Sequence, residues 1–140
     1  MQPDQPVHAT CVSIGHDGVL ITGPSGSGKS SLALQLLTMG GVLVSDDRVV
    51  LNSEGDTLWA SCPGALTGLI EARGVGILRV VSLTRVALKA VVDLSKIEKE
   101  RIPPHRHISL NGHELPLLHK VEGIHFASAL ALFLRGGRDA

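Results

Sequence analysis

Residues 19–30 read VLITGPSGSGKS, and this stretch decides the fold class. An apolar segment leads into a loop with three glycines, and the residues that follow, SLALQLL at 31–37, are typical of a helix. Gly-x4-Gly-Lys-Ser between a strand and a helix is the pattern of a phosphate-binding loop, or P-loop. The sequence therefore predicts a site for a nucleoside phosphate.

Each position of this loop has a chemical task. The glycines let the backbone turn tightly, so that successive N–H groups face phosphate oxygens at a helix N-terminus. Lys29 is expected to reach the β- and γ-phosphates, and the Ser30 hydroxyl to bind Mg²⁺. The residues predicted to bind the nucleotide are Gly23, Pro24, Ser25, Gly26, Ser27, Gly28, Lys29 and Ser30.

The composition indicates a globular protein without an excess of either charge. The 140 residues are 44% hydrophobic and 19% charged, with 13 basic and 13 acidic residues, which fits a single domain over residues 1–140. The neutral balance and the 2% of aromatic residues argue against a nucleic-acid partner. No apolar stretch is long enough to cross a bilayer, so we expect no membrane partner and a cytoplasmic location.

The elements expected from the pattern are many short strands and two helices. Strands are predicted at residues 7–14, 19–22, 42–44, 48–51, 57–61, 86–94, 107–110 and 113–118, and helices at 30–39 and 124–135. Residues 63–76 are expected to be partly irregular, and residues 1–6 to form a flexible lead-in. Cys11 and Cys62 are expected to be reduced thiols in the core, because their spacing suits no metal site. The sequence thus predicts an α/β domain with a mixed sheet around the P-loop helix.

Two adjacent carboxylates, Asp46 and Asp47, follow the predicted strand 42–44. A P-loop enzyme needs a carboxylate near its metal ion, either to hold Mg²⁺ or to accept a proton from the attacking hydroxyl. Adjacent residues at a strand end point to opposite sides, so the two are expected to have different tasks. The alternative is a pair that only caps a turn.

Three further segments give the sequence a specific likeness. His8 ahead of the loop, VSDDRV at 44–49 and EARGVGI at 71–77 together resemble the catalytic domain of HPr kinase/phosphorylase. The P-loop alone is shared by many families, so the combination carries the resemblance, which extends from about His8 to the last helix. It implies a P-loop kinase fold related to that of phosphoenolpyruvate carboxykinases.

The resemblance also implies an activity and a set of residues. Members of this family use ATP and Mg²⁺ to phosphorylate a serine of HPr, the phosphocarrier protein of the sugar phosphotransferase system. They also remove that phosphate with inorganic phosphate as acceptor and release pyrophosphate. By position, the resemblance implies an acid/base aspartate at Asp47 with Asp46 beside it, an active-site histidine at His8, a magnesium ligand at Glu71, a catalytic arginine at Arg101, and the P-loop lysine and metal-binding serine at Lys29 and Ser30.

The chain departs from the family in two places. Longer members have an additional N-terminal domain, so this chain is expected to consist of the catalytic domain. Before the last helix the family reads Pro-Gly-Arg-Asn, a loop associated with phosphorolysis, where residues 120–125 read KVEGIH. The missing arginine argues against phosphorolysis unless Lys120 or His125 supplies the charge. Self-association is implied, because full-length members form hexamers through the catalytic domain.

Two other functions remain open at this point. A kinase for a small molecule would use the same scaffold but would need an enclosed pocket for its acceptor. A sensor or scaffold that holds ATP and binds a phosphocarrier protein would not need turnover. The presence of Asp46, Asp47 and Glu71 favours an enzyme, since binding alone requires only the P-loop.

Overall fold

A mixed β-sheet with two helices packed against one side makes up the fold. The computed structural model describes residues 6–64 and 67–140. In chain order the elements are β1 (Val7–Ile14), β2 (Asp17–Thr22), α1 (Lys29–Leu37), β3 (Val42–Ser45), β4 (Arg48–Glu54), β5 (Thr57–Ser61), β6 (Leu69–Ala72), β7 (Gly76–Arg79), β8 (Arg85–Ile97), β9 (Arg106–Leu110), β10 (His113–Lys120) and α2 (Phe126–Gly136). No helix among these residues is long and apolar enough to span a membrane.

The predicted strands and helices are confirmed to within a few residues at their ends. The segment 63–76 is partly irregular, as expected, but it also contains β6 and the start of β7, which were not predicted and which pair antiparallel with Glu71 opposite Ile77. Each strand has only four residues, too few for an alternating pattern to be recognised. Ala65 and Leu66, like residues 1–5 of the predicted lead-in, lie outside the described residues.

Five strands close into a ring of hydrogen-bonded neighbours. β1 pairs with β2, β2 with β8, β8 with β5, β5 with β4, and β4 with the first two residues of β1. The β2–β8 pairing is parallel, whereas the other four are antiparallel. β3 pairs with the second half of β1, and β10 with the second half of β8. The central strands are therefore paired on both edges, which leaves them little freedom to shift.

The sheet separates two apolar cores. On the helix side, Leu36 of α1 and Leu130 of α2 pack with Val12, Ile21 and Val92 of the sheet. On the other side, the opposite faces of the same strands bury residues such as Cys11, Leu20 and Val91. The alternation of side chains along β1 and β2 assigns successive residues to the two cores, and α1 is held against the sheet directly behind the loop 23–30.

A bulge at Lys89 changes which side of the sheet the residues of β8 face. Regular alternation would put Val86, Leu88, Ala90, Val92 and Leu94 on one face. Instead, Val86 and Leu88 lie in one core and the other three in the opposite core. The pairing with β2 skips one residue, since Gly18 lies opposite Leu88 and Val19 opposite Ala90. An extra residue in one strand reverses the side that later residues face.

The bulged lysine has contacts of its own. Lys89 Nζ donates to the backbone oxygen of Leu134 in the last turn of α2 at 3.0 Å, and it also contacts Asp17 at 3.4 Å. A cation at a helix C-terminus is favourable because the unpaired carbonyl groups there carry partial negative charge. The bulge therefore ties α2 to the sheet.

Asn111-Gly112, a dipeptide typical of two-residue hairpin turns, joins the predicted strands β9 and β10. An ion pair fixes this hairpin to the end of β8, where Arg106 Nε and Nη2 donate to the Glu98 carboxylate at 3.2 and 3.1 Å. The Glu98 side chain is 7% exposed, and the hydrogen bond from Arg106 lowers the pKa of its carboxyl group below the usual value. The hairpin is thus held by charge as well as by strand pairing.

The two cysteines differ in their surroundings. The expectation of a core thiol is confirmed for Cys11 and wrong for Cys62. Both are free thiols, and Cys11 is completely buried, as predicted. Its burial raises the pKa of the thiol far above the usual value because the charged form would be desolvated. Cys62 follows the last residue of β5 and is only partly buried, so it is not a core residue.

The close approach of β2 to β8 predicts that Gly18→Ala destabilises the protein. A Cβ atom there would lie 2.5 Å from Val86 Cγ1 and 3.0 Å from the backbone oxygen of Ala87. We expect a loss of about 1–3 kcal/mol in the free energy of unfolding, measured by urea titration. Gly136→Ala is the control, because a Cβ atom in that helical position meets nothing within 4 Å. Equal stability of the two variants would contradict the packing described for β2.

Candidate active site

The loop between β2 and α1 owes its shape to glycines in a backbone conformation that other residues rarely adopt. Gly23, Gly26 and Gly28 have φ angles of 143°, 83° and 104°. A Cβ atom on Gly23 would lie 2.6 Å from Ser27 Oγ and 3.2 Å from the Cβ atoms of Ser27 and Leu94, so a side chain there would crowd both neighbours. No side chain caps α1 and no acidic residue occupies its first turn. The loop therefore presents a helix N-terminus whose first N–H groups are not capped by a side chain.

Lys29 is folded beneath this loop. Its side chain is 7% exposed, and Nζ donates to the backbone oxygens of Gly23 at 2.8 Å and Pro24 at 3.2 Å. These two bonds hold the ammonium group in one place without neutralising its charge, because the carbonyl groups are only dipoles. A fixed positive charge thus lies at the base of the loop.

The Asp46 carboxylate is bound by three parts of the chain. Its Oδ1 accepts hydrogen bonds from Ser30 Oγ at 2.8 Å and from Thr10 Oγ1 at 2.9 Å. Its Oδ2 accepts a hydrogen bond from the backbone N–H of Glu71 at 3.3 Å. Asp46 thereby links α1, β1 and β6, and both of its oxygens are engaged with protein donors.

Asp47 points away from this network. Its φ angle is 72°, in the left-handed region, and its backbone N–H donates to Thr10 Oγ1 at 3.3 Å. Its Oδ1 lies 2.8 Å from His8 Nε2, and the two side chains are 68% and 47% exposed. The prediction that the adjacent carboxylates face different surroundings is confirmed: Asp46 binds the protein framework, and Asp47 is open to solvent beside His8.

Several of the predicted site residues line one cleft of about 310 Å³, to which four parts of the chain contribute. Loop residues between Ser25 and Ser31 form one wall, and Lys29 and Ser30 are among them. The opposite side carries His8, Asp47, Glu71 and Arg73. Within the described residues, no three His, Cys, Asp or Glu side chains are grouped so that they could hold a metal ion by themselves.

Some predicted site residues do not line this cleft, namely Gly23, Pro24, Ser27, Asp46 and Arg101. The first four belong to the loop or contact Ser30, whereas Arg101 lies apart from it. Arg101 is exposed, and it follows β8, which ends at Ile97 opposite Lys120 of β10. Its assignment came from the family resemblance alone. The packing of the cleft provides no support for a catalytic contact from Arg101 within this chain.

Two residues of the site were missed from the sequence. Thr10 is fully buried and contacts both aspartates, and Arg73 lines the cleft. Residues i and i+2 of a strand share a face, so Thr10 lies on the same face of β1 as His8. This periodicity could have identified Thr10. Arg73 was part of the EARG segment at 71–74 but had been given no task there.

Comparisons with known proteins identify the family of the chain. The sequence profile described as HPr Serine kinase C-terminal domain matches residues 1–102. The chain belongs to this family. The HPr kinase/phosphorylase of Mycoplasmopsis pulmonis is 37% identical over 102 residues, which are 68% of this chain and 33% of that protein. The enzyme of the same name from Bacillus mycoides is 46% identical over 84 residues, covering 59% of this chain and 27% of that protein.

The fold agrees with a solved structure from this family. The structure of the Hpr(Ser) kinase/phosphatase from Coxiella burnetii superimposes with a TM-score of 0.79 at 28% identity, covering 94% of this chain and 88% of that one. The mixed-sheet α/β fold predicted from the sequence is therefore confirmed. The chain spans about a third of the length of the curated relatives named above.

The contacts of the two aspartates predict unequal effects of their substitution on stability. Asp46→Ala leaves the Thr10 and Ser30 hydroxyls and the Glu71 N–H without their acceptor, and we expect a loss of about 1–3 kcal/mol in the free energy of unfolding. Asp47→Asn keeps a residue type that tolerates the left-handed conformation at an exposed position, so we expect a change within about 0.5 kcal/mol. Urea titrations measure both, and a larger loss for Asp47→Asn would contradict this assignment of contacts.

Proposed function

We propose that this protein is an ATP- and Mg²⁺-dependent serine kinase that phosphorylates HPr, the phosphocarrier protein of the sugar phosphotransferase system. One observation carries the proposal: a single cleft is lined by Lys29 and Ser30 of α1, by Asp47 between β3 and β4, and by Glu71 of β6. Membership in the HPr serine kinase C-terminal domain family supports HPr as the acceptor. The proposal includes a P-loop kinase fold of the type shared with phosphoenolpyruvate carboxykinases.

The loop 23–30 has the properties that a triphosphate requires. Cβ atoms on Gly26 and Gly28 would meet no neighbour within 4 Å, so open space lies beside the backbone at these two positions. Backbone N–H groups at a helix N-terminus together with a fixed lysine favour binding of several negative oxygens. ATP would place its β- and γ-phosphates beside Lys29, as this loop does in other nucleotide-binding proteins.

The cleft also offers ligands suitable for Mg²⁺. This ion prefers oxygen ligands and is held by one or two carboxylates together with substrate phosphates. Ser30 and Glu71 would hold it, with phosphate oxygens completing its coordination. When bound, the ion would offset charge that develops on the transferred phosphoryl group. Asp46, whose oxygens bind Ser30, Thr10 and the Glu71 N–H, would keep the Ser30 hydroxyl in position.

Asp47 is the residue proposed to move the proton. A serine hydroxyl attacks a phosphoryl group more readily when a carboxylate accepts its proton as the bond forms. Asp47 Oδ1 would serve as acceptor, and His8, 2.8 Å away, would orient that carboxylate. The same carboxylic acid could return the proton to the serine oxygen in the reverse direction.

The exposure of the acid/base pair favours a protein as the acceptor. A kinase for a small molecule would need an enclosed pocket, whereas the Asp47 and His8 side chains are 68% and 47% exposed. A serine on the surface of another protein can reach such a position. An ATP-binding sensor or scaffold would not need a carboxylate beside the phosphate site, so the placement of Asp47 and Glu71 at one cleft favours an enzyme over this second candidate.

The family likeness extends the proposal to the setting of the enzyme. We include a cytoplasmic location, where the phosphotransferase system transfers phosphate to incoming sugars. We also include self-association of the kind known for full-length members of the family. Arg101, which lies outside the cleft of this chain, keeps a catalytic role only if such an assembly brings it to a neighbouring cleft.

The division of tasks between the aspartates predicts the phenotype of two matched variants. Asp47→Asn is nearly isosteric and should retain most of the ATP affinity, while phosphoryl transfer to HPr falls by about two to four orders of magnitude. Asp46→Asn disturbs the Ser30 hydroxyl and the metal, so added Mg²⁺ should partly restore its activity. Initial rates with radiolabelled ATP and titration calorimetry separate transfer from binding.

Two results would contradict these roles. If Asp47→Asn transferred phosphate at the normal rate while Asp46→Asn was inactive, the roles of the two residues would be the reverse of those proposed. Unchanged nucleotide affinity and unchanged transfer in Lys29→Ala would remove the loop 23–30 from the mechanism altogether, because that variant lacks the fixed charge beneath the loop.

The sequence KVEGIH at 120–125 predicts that forward transfer greatly exceeds phosphorolysis. The arginine that the family associates with the phosphate-driven reaction is missing there. Incubation of seryl-phosphorylated HPr with millimolar inorganic phosphate should therefore release little pyrophosphate, measured with a coupled assay. Rapid pyrophosphate release would show that Lys120 or His125 replaces the arginine.

A further inference from the structure

A second cavity lies on the other side of the loop 23–30. Its volume is about 320 Å³, within the range of about 300–1,000 Å³ found for small-molecule sites. α1 contributes one wall, and the segment 120–123 after β10 contributes another. It shares Gly28 and Ser31 with the cleft described above, so the two spaces meet at the start of α1.

We propose that this second cavity binds the nucleoside part of the nucleotide. The inference rests on the proposed function, since it concerns the same nucleotide. The reactive phosphate must lie next to Asp47, His8 and Glu71, because the acceptor hydroxyl and the metal are needed there. The nucleoside is attached at the other end of the phosphate chain, and the second cavity meets the cleft at Gly28 and Ser31, away from Asp47.

The walls of the second cavity suit a base and a ribose. Leu94, Val121 and Phe126 give an apolar surface for the face of a base. Gln35 and Glu122 stand at the same cavity and offer an amide and a carboxylate to the polar edge of a base or to ribose hydroxyls. Small-molecule sites combine apolar walls with a few polar groups in this way.

An unsatisfied polar atom at this cavity supports the same assignment. Ser27, which lines the cavity, has a hydroxyl oxygen that is buried and has no hydrogen-bond partner among the described residues. A buried hydroxyl without a partner costs free energy. Rotation about χ1 would turn this hydroxyl toward a ligand in the cavity, which would remove the cost.

Lys120 raises a competing assignment, namely that the cavity holds an additional phosphate. Its ammonium group belongs to the same wall, and a free phosphate would be attracted by it. The apolar surface of Leu94, Val121 and Phe126 favours a nucleoside, because a phosphate gains nothing from apolar contact. The two assignments differ in one measurable respect. A substitution in a phosphate site would weaken the binding of inorganic polyphosphate, whereas a substitution in a nucleoside site would not.

The test compares ATP with inorganic tripolyphosphate, both with Mg²⁺, by titration calorimetry. Tripolyphosphate makes the phosphate contacts of ATP but has no nucleoside. Val121→Trp fills the cavity, and we expect it to weaken ATP binding by about ten-fold or more, with tripolyphosphate affected less than about two-fold. Leu132→Trp is the control, because Leu132 is exposed on α2 and does not line this cavity.

A second measurement uses the unmodified protein, so that the test survives a variant that fails to fold. Backbone amide NMR spectra are recorded with ATP and with tripolyphosphate, and the two sets of chemical shifts are subtracted. The differences should concentrate at Gln35, Val121, Glu122 and Gly123.

Three outcomes overturn the proposal. Equal weakening of ATP and tripolyphosphate in Val121→Trp would make the segment 120–123 a phosphate site. Spectral differences confined to residues elsewhere would place the nucleoside outside the second cavity while leaving the P-loop assignment intact. Absence of binding of both ligands to the unmodified protein would overturn the proposed function and this inference together.

Discussion

The Asp46 carboxylate is the point on which the arrangement of the site depends. It accepts hydrogen bonds from Ser30 at the start of α1, from Thr10 in β1 and from the backbone of Glu71 in β6. These elements are far apart in the sequence, and none of them would be held in this relation by strand pairing alone. A single carboxylate with both oxygens engaged therefore adds a polar link to the apolar packing of Ile70 against α1, and it joins the start of the loop helix to the segment that carries Glu71 and Arg73.

The segment between β3 and β4 leaves the neighbouring carboxylate, that of Asp47, open to the cleft. The backbone at Asp47 is left-handed, and the Thr10 hydroxyl, which donates to Asp46, accepts the Asp47 N–H. β3 and β4 both run antiparallel to β1, so the left-handed residue lies in an irregular step between two strands of the same direction. At this step Asp47 faces the cleft and His8, while Asp46 faces the framework. Left-handed backbone in a residue other than glycine is costly and occurs mainly where surrounding contacts fix it. Thr10 supplies two of those contacts.

Much of the fold and part of the site could be predicted from local sequence. The P-loop pattern and the short strand-like segments on either side of it are short-range signals, and the strands and the helix that they predicted are present. The Lys89 bulge could not be predicted, because the pattern of Val86 to Leu94 is the same with or without an extra residue; the contacts of Lys89 with α2 and Asp17 decide it. The role of Thr10 and the position of Arg101 outside the cleft depend on contacts across the chain, which no local pattern contains.

The central claim is that the cleft transfers phosphate from ATP to a serine of a phosphocarrier protein. The most direct measurement mixes the purified chain with Mg·ATP and HPr and locates any phosphate on HPr by mass spectrometry. The account predicts one phosphate on a serine, appearing only when the chain and ATP are both present. An HPr that stays unmodified while the chain binds ATP tightly would contradict the claim and favour a nucleotide-binding scaffold.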